Sequence, residues 1–505
     1  MEMKLNAGNL RFILGLKLKT LRQKHGLSLK ELSLRSGLSV SYLSEIEKGK
    51  KYPKPDKLLA LAPALETTYD ELVSLKVNEA LVPLKSLFSS SFVQEFPFDL
   101  FGLEPEDLFG LVTDEPDKAG ALIQTFLEIG RTYDVRVEHF LFAALRSYQQ
   151  LQGNYFPDLE EAAVRFRASH AWGAWPPPDE LALRSVLENE FGYRIEETRF
   201  MENPALRRLR SVFVPGKHPT LLVNAKLMSS QKAFIFAREL GFLTLRLKDR
   251  AATSSRLQVN SFDQVLNTFK ASYFAGALLI DQDLLLADFR AFFGNKAWDD
   301  HALLSLMSRY RASPEMFLYR VTELAPRLFD LGALFFMRFN HDHQTDTFTL
   351  TKVLNMSGVS VPHGIWHNEH YCRRWPVFRL LAELEQRQAQ DLIDDPLVQA
   401  HRIHFIDQEA TFFTITCARA LSLKEHTNTA VSLGFLMTDT FNRNVRFGRD
   451  PAVGSTDVNL TCERCSLSAD ACQDRVAAPL VFQEQQALLL KEEALARLIQ
   501  TVKRA

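Results

Sequence analysis

The chain has 505 residues, 46% of them hydrophobic and 24% charged, with a net charge of −1 and five cysteines. At about 150 residues per domain, that length implies two to four domains with sizeable cores. No apolar run approaches the roughly 20 residues needed to cross a bilayer, and the opening MEMKLNAGNLRF lacks the apolar stretch of a secretory signal, so a cytoplasmic protein without membrane segments is expected.

The charge is unevenly spread. Residues 1–60 carry thirteen Lys and Arg against five Asp and Glu, a charge of +8, which leaves −9 on the remainder. A basic head on an acidic body points to a polyanion as the head's partner, with a merely solvated basic face as the alternative. From Arg11 to Val73 the pattern reads as five short helices. Leu14, Leu18 and Leu21 share a face of the first, which stops at Gly26. Ser28 and Glu31 form a capping box for the second, Gly37 makes a tight turn, and Ser39 caps a third that runs to Lys48 and ends at Gly49. Helix, glycine turn and helix is the sequence form of a helix-turn-helix.

The stretch GLSLKELSLRSGLSVSYLSEIEKGKKYPKPDKLLALA resembles the Cro/repressor-type, or XRE, family over about the first 70 residues. The resemblance implies a recognition helix at 39–48, with Leu43 and Ile46 in the head's core and Val40, Ser41, Ser44 and Glu45 toward base edges of a double-stranded DNA operator. Lys50, Lys51 and Lys54 follow the helix, where ammonium groups neutralise phosphates. An Arg22–Glu47 ion pair is expected to join the first and third helices. Many family members place Gln at the second position of helix two, and Leu29 stands there instead, leaving only its backbone N–H for a phosphate.

Residues 77 to about 167 are Phe-rich and read as mostly helical, including FPFDLFGLEPEDLFGLV and HFLFAALRSYQQLQGNYFPDLEEAA. The phenylalanines are core or the lining of an apolar ligand pocket. WGAWPPPDE at 172–180 reads as a joint between domains. The segment LLVNAKLMSSQKAFIFARELGFLTLRL reads as a strand and then a helix, and it resembles the ImmA/IrrE metallopeptidase-like family. That family carries His-Glu-x-x-His on this helix, two ligands four residues apart on one face with a glutamate to activate water. Here Arg238 and Phe242 stand at the histidine positions, and only Glu239 remains. Around the third ligand, NTFKASYFAGALL offers Thr268 and Lys270 instead of a carboxylate. A degenerate scaffold without catalytic residues is therefore expected, with Glu239 paired to Arg238 or Arg246; an active metallopeptidase is the rival reading.

The remaining sequence places Cys372 in NEHYCRRWPVF and Cys462, Cys465 and Cys472 in TCERCSLSADACQDR, while Cys417 lies in the alternating TFFTITCARAL and reads as a buried strand residue. Four thiolates suit a [4Fe-4S] cluster or a structural Zn2+ ion held by four cysteines, provided Cys372 folds back against the C-terminal loop, with unligated thiols packed as small apolar groups as the alternative. Arg373, Arg374, Arg464 and Arg475 flank them, and positive charge favours the thiolate. The whole chain is similar to the long bacterial regulators of short-chain acyl and propionate metabolism. That similarity implies a cluster on Cys372, Cys462, Cys465 and Cys472 and a coenzyme A thioester as the small-molecule effector. The Arg pair beside Trp375 could meet acyl-CoA phosphates, or could pair with acids such as Glu369. The tail LVFQEQQALLLKEEALARLIQTVKRA has Leu488, Leu495, Ile499 and Val502 on one stripe, to pack on its own domain or on a second subunit of a homodimer.

The expected fold is multidomain: an all-α helix-turn-helix head (1–76), a helical linker or dimerisation region (77–170), an α+β degenerate metallopeptidase-like domain (171–355) and a C-terminal Cys-rich sensing domain (356–505).

Overall fold

The computed structural model describes residues 7–47, 51–74, 100, 137–253, 261–362, 369–392 and 396–504. Lys48, Gly49, Lys50 and most of the Phe-rich segment before residue 137 lie outside them. The chain divides into two compact units, one of residues 1–148 with 259–265 and one of 149–258 with 266–505.

The head holds five helices: α1 (Ala7–Lys24), α2 (Leu29–Ser36), α3 (Val40–Glu47), α4 (Pro55–Ala64) and α5 (Tyr69–Val73). Leu14, Leu18, Leu32, Leu38, Leu43, Ile46, Leu58, Leu61 and Leu72 form its core. α1 crosses α3 so closely that a Cβ on Gly15 would sit 2.4 Å from the Ile46 carbonyl. Lys17 ties α1 to the end of α5, donating to Glu71 O at 2.8 Å and to Ser74 Oγ at 2.9 Å.

After α6 (Val137–Leu151), the second unit continues with α7 (Pro157–Ser169) and α8 (Glu180–Asn189). A small sheet follows, of β1 (Arg194–Glu196), β2 (Ser211–Val214) and β3 (Thr220–Val223), with β3 central, parallel to β1 and antiparallel to β2. Then come α9 (Ser229–Thr244), α10 (Phe262–Leu279), α11 (Gln282–Phe293), α12 (Asp300–Arg309) and α13 (Pro314–Leu328). The stretch expected to be a joint, 172–180, lies inside this unit. Buried charge fastens α7 here: Arg167 pairs with Asp281, and Glu160 takes two 2.7 Å bonds from Arg320.

The C-terminal sheet has six strands, β4 (Leu334–Asp342), β5 (Thr347–Asn355), β6 (Leu397–Phe405), β7 (Ala410–Ala420), β8 (Thr427–Leu436) and β9 (Gly454–Val458). Their order is β5-β4-β8-β7-β6-β9, antiparallel except for β6 with β9. Strand alternation gives each face a helix. Phe335, Met337 and Phe339 meet α14 (Pro376–Ala389) through Val377, Phe378, Leu381 and Leu384, while Phe336 turns to the other side against Tyr319 of α13. Gly434 leaves room for Phe335, whose ring would lie 2.3 Å from an added Cβ. Cys417 is buried in β7, as its alternating pattern implies. After the short α15 (Asp439–Asn444), α16 (Leu480–Arg504) closes the chain. Leu488 (57%), Leu495 (56%) and Ile499 (45%) on α16 stand exposed, so these three positions of the tail stripe do not pack on their own domain. Among the described residues, no helix is long and apolar enough to cross a membrane.

Candidate functional site

In the head, local chemistry sets the recognition helix. Ser28 and Glu31 form both halves of the capping box, Gly37 takes φ 70°, and Ser39 Oγ accepts from the Tyr42 amide at 3.3 Å. Leu43 and Ile46 are fully buried, which turns Val40, Ser41, Ser44 and Glu45 outward. Val40 and Ser41 are exposed and Ser44 is half-buried, whereas the Glu45 carboxylate is already held by Lys51 at 2.7 Å. Lys54 is exposed and unengaged by any cap bond at the start of α4. Arg22 grips Glu47 with bonds of 2.6 and 2.9 Å and donates to Leu27 O at 2.8 Å, joining α1 to α3 as expected. Leu29 packs against the head's core.

On α9, Glu239 is fully buried, and its partner differs from the expectation. Neither Arg238 nor Arg246 holds it. Arg250 does, with bonds of 2.7 and 2.8 Å. Residues 250–253 turn back along β2, where the Phe213 amide donates to Ala252 O at 2.8 Å, and this delivers the guanidinium to the carboxylate. Phe213 and Phe242 carry that guanidinium at 3.9 and 4.0 Å from their ring centres. Arg238 instead donates to Ser211 Oγ at 3.2 Å. Burial, with the Glu239 charge nearby, pushes the Tyr193 hydroxyl up to about 12. The donor set at this helix does not fit a zinc ion, since an arginine and a phenylalanine offer no lone pair and Glu239 is saturated by Arg250.

A helix-turn-helix family profile matches residues 18–72, and one described as an IrrE N-terminal-like domain, in the M78 peptidase class, matches 188–322. The chain carries both domains. Solved structures similar to it include a Mycobacterium tuberculosis transcriptional regulator, 18% identical, with 67% of this chain and 93% of that chain covered and a TM-score of 0.46. No curated protein matches the chain.

Where the IrrE-like domain meets the C-terminal sheet, a group of cations collects from positions far apart in the sequence. Glu315 of α13 is drawn down to about 2 by Arg338 of β4, Lys352 of β5, Arg210 and Arg419 of β7, against the opposing effect of its own burial. Arg338 bonds it at 3.0 Å. Burial lowers Arg210, Arg238 and Lys352, and the Arg210 charge adds to the lowering of Arg238. Arg210, Arg338, Lys352 and Glu315 are crowded by protein yet keep partial exposure. Four cations act on one strongly ionised carboxylate there, an excess of positive charge in a low-dielectric setting. A cleft of about 410 Å³, lined by Pro177, Pro178, Leu181, Ala233 and Met316, has Arg311 as its one lining cation, and Asp179 holds it at 3.6 Å.

The sheet domain also gathers four cysteines. Cys372, Cys462, Cys465 and Cys472 are all buried and free. A bridge between Tyr371 and Thr461 folds the first against the others, with the Cys372 amide donating to Leu460 O and the Cys462 amide to His370 O. Arg374 reaches Ala471 O at 3.0 Å, and Arg475 reaches Cys465 O at 3.4 Å. Burial raises the Cys372 thiol to about 11, with Cys462 and Cys465 adding to the rise. The Arg pair does not engage Glu369, which is held by Arg464 at 2.7 and 2.8 Å and lowered by it. Arg373 lies over Phe348 at 4.1 Å. Trp375 is 1% exposed and donates to Asn459 O at 2.8 Å, so it is core and no part of a phosphate pocket.

Proposed function

We propose that the protein is a dimeric, one-component, cytoplasmic transcription regulator whose head binds an operator and whose body senses an acyl-CoA and holds a [4Fe-4S] cluster. The helix-turn-helix carries the DNA half of this reading: α3 has its apolar side sealed and Val40, Ser41 and Ser44 available, with Lys54 beside it for phosphate. Lys50 belongs to the same proposed rim. The cationic cluster around Glu315 supports an effector rich in phosphate, because desolvated guanidinium and ammonium groups gain most from a multiply charged anion. Exposed Leu488, Leu495 and Ile499 on α16 favour a second subunit as the tail's partner. The IrrE-like domain serves as scaffold, its carboxylate occupied by Arg250.

The residues fit a cluster on Cys372, Cys462, Cys465 and Cys472. Beside four buried thiols, the Nε atoms of Arg374 and Arg475 are buried without a hydrogen-bond partner, as suits an anionic neighbour. When bound, such a cluster supplies a redox couple at those thiolates. Zinc at about 2.3 Å from each sulfur would draw the four sulfurs to about 3.8 Å from one another. Among the described residues, the one set of three donors within 4.8 Å of each other is elsewhere in this domain, so the four sulfurs do not stand at that zinc separation.

The test is calorimetric titration of the full chain with propionyl-CoA, free coenzyme A and propionate, repeated on Lys352→Ala. Binding of the thioester that is weakened at least about tenfold by the loss of one phosphate-pairing cation supports the cationic cluster as its site. Absence of binding, or unchanged binding in the variant, contradicts it.

A further inference from the structure

The sheet domain holds a second constellation that the regulator reading does not use. β4 ends at Asp342, and the alternation that turns Phe335, Met337 and Phe339 toward α14 carries on to His341 and His343. Glu385 on α14 faces them. One donor atom from each of the three lies within 4.8 Å of the others. His343 Nδ1 is 2.9 Å from Glu385 Oε1, and His341 Nδ1 is 4.0 Å from Oε2.

The His341 ring is fixed from two sides. It stacks on its cross-strand neighbour Phe348, with centroids 4.0 Å apart and planes within 4°. Its Nε2 meets Asp346 Oδ1 at 2.8 Å, from a turn residue at φ 45°. That bond assigns the proton to Nε2 and leaves Nδ1 with its lone pair directed inward. The residue is 6% exposed, and its Nδ1 makes no hydrogen bond; His343 Nδ1 is buried with Glu385 Oε1 at 2.9 Å, off the geometry of a hydrogen bond. Leaving a buried nitrogen acceptor such as His341 Nδ1 unsatisfied is unfavourable, so native structures rarely do it without a ligand. The neighbouring Asp342 is occupied by Lys424 at 2.7 Å.

We propose that His341, His343 and Glu385 form a binding site for a divalent transition-metal ion of the zinc class, with Asp346 as the positioning residue behind His341. Two imidazoles from alternate strand positions and a carboxylate from a facing helix are a three-donor set that leaves a fourth position for water or an anion. Asp346 completes a carboxylate–histidine–metal relay of the kind that orients such ligands. The ion would clip the end of β4 to α14. The site shares no donor with the four cysteines, so it stands or falls separately from the proposed cluster.

The experiment uses the full chain, purified without oxygen and titrated with Co2+ as the probe. Cobalt on thiolates shows an intense near-ultraviolet charge-transfer band, whereas cobalt on imidazole and carboxylate shows only weak visible bands, so the two sites separate in one spectrum. Wild-type protein should retain one more equivalent than Glu385→Gln or His343→Ala, with a wild-type-minus-variant spectrum free of the thiolate band. Glu385 is half-exposed, so its replacement by glutamine should leave the fold intact, which the far-ultraviolet circular dichroism of the variant checks. Asp346→Asn should keep the stoichiometry and weaken binding at least about 10-fold. Equal stoichiometry and affinity in wild type and Glu385→Gln would overturn the site, as would a difference spectrum carrying the thiolate band.

Discussion

Replacing Arg250 by alanine is the most revealing perturbation of the IrrE-like domain. The Glu239 side chain is 1% exposed and that of Arg250 13%, so the substitution strands a carboxylate where water does not reach. Removing one partner of such a pair costs about 3–5 kcal/mol. The guanidinium also leaves the faces of Phe213 and Phe242, an added loss of about 1 kcal/mol. Glu239→Gln keeps the shape and one of the two bonds, since its amide nitrogen cannot accept from Arg250, and should lose about 1–3 kcal/mol. The double variant Glu239→Leu/Arg250→Met should recover most of the stability, because a well-packed apolar pair escapes the desolvation of both ions. Urea unfolding of the full chain, followed by far-ultraviolet circular dichroism, reads all three. Unfolding of Arg250→Ala within about 1 kcal/mol of wild type, the scale of an exposed ion pair, would refute the buried pair's role. Loss of a metal-dependent peptide cleavage in Glu239→Gln would refute it equally.

Two further outcomes follow from buried and exposed charge. Glu160 and Glu323 both face the fully buried Arg320, and burial pushes Glu323 up to about 8. The folded state then keeps a proton that the unfolded chain has released, so the stability this group contributes is complete below about pH 4.5 and is lost as pH rises toward about 8. Glu323→Gln should remove that slope: the variant gains on wild type between about pH 5 and pH 8.5 in urea titrations, and parallel pH profiles would refute the assignment. Lys54→Ala should weaken binding to all DNA sequences alike and reduce the salt slope by about 1, as for one lost phosphate contact. Lys51, already tied to Glu45 at 2.7 Å, should show a smaller change in that slope.

The head was legible because its signals are local. A capping box spans three residues, Gly37 marks its own turn, and the spacing of Leu43 and Ile46 fixes the face that α3 buries. The loss of zinc ligands at Arg238 and Phe242 could also be read directly, since those residue types cannot coordinate. The replacement partner could not. Arg250 reaches Glu239 only because residues 250–253 fold back along β2, and nothing nearer than that pairing favours it over Arg246. Long-range assembly likewise hid the cations around Glu315, which come from β4, β5, β7 and the segment before β2. Trp375 misled for a related reason: beside two arginines it resembled a pocket wall, but the helix that begins at Pro376 turns it into the sheet's core. His341 and His343 went unnoticed because a His-x-His pair gains meaning only when a facing helix supplies the carboxylate.

The central claim is that the body governs the head's hold on DNA. Fluorescence anisotropy of the labelled promoter fragment upstream of the protein's own gene, titrated with full-length protein with and without propionyl-CoA, tests it directly. A shift in DNA affinity with the thioester, absent with free coenzyme A and lost in Lys352→Ala, is the predicted result, because a ligand moves an equilibrium only by binding its two states unequally. Identical binding curves with and without the thioester would contradict it.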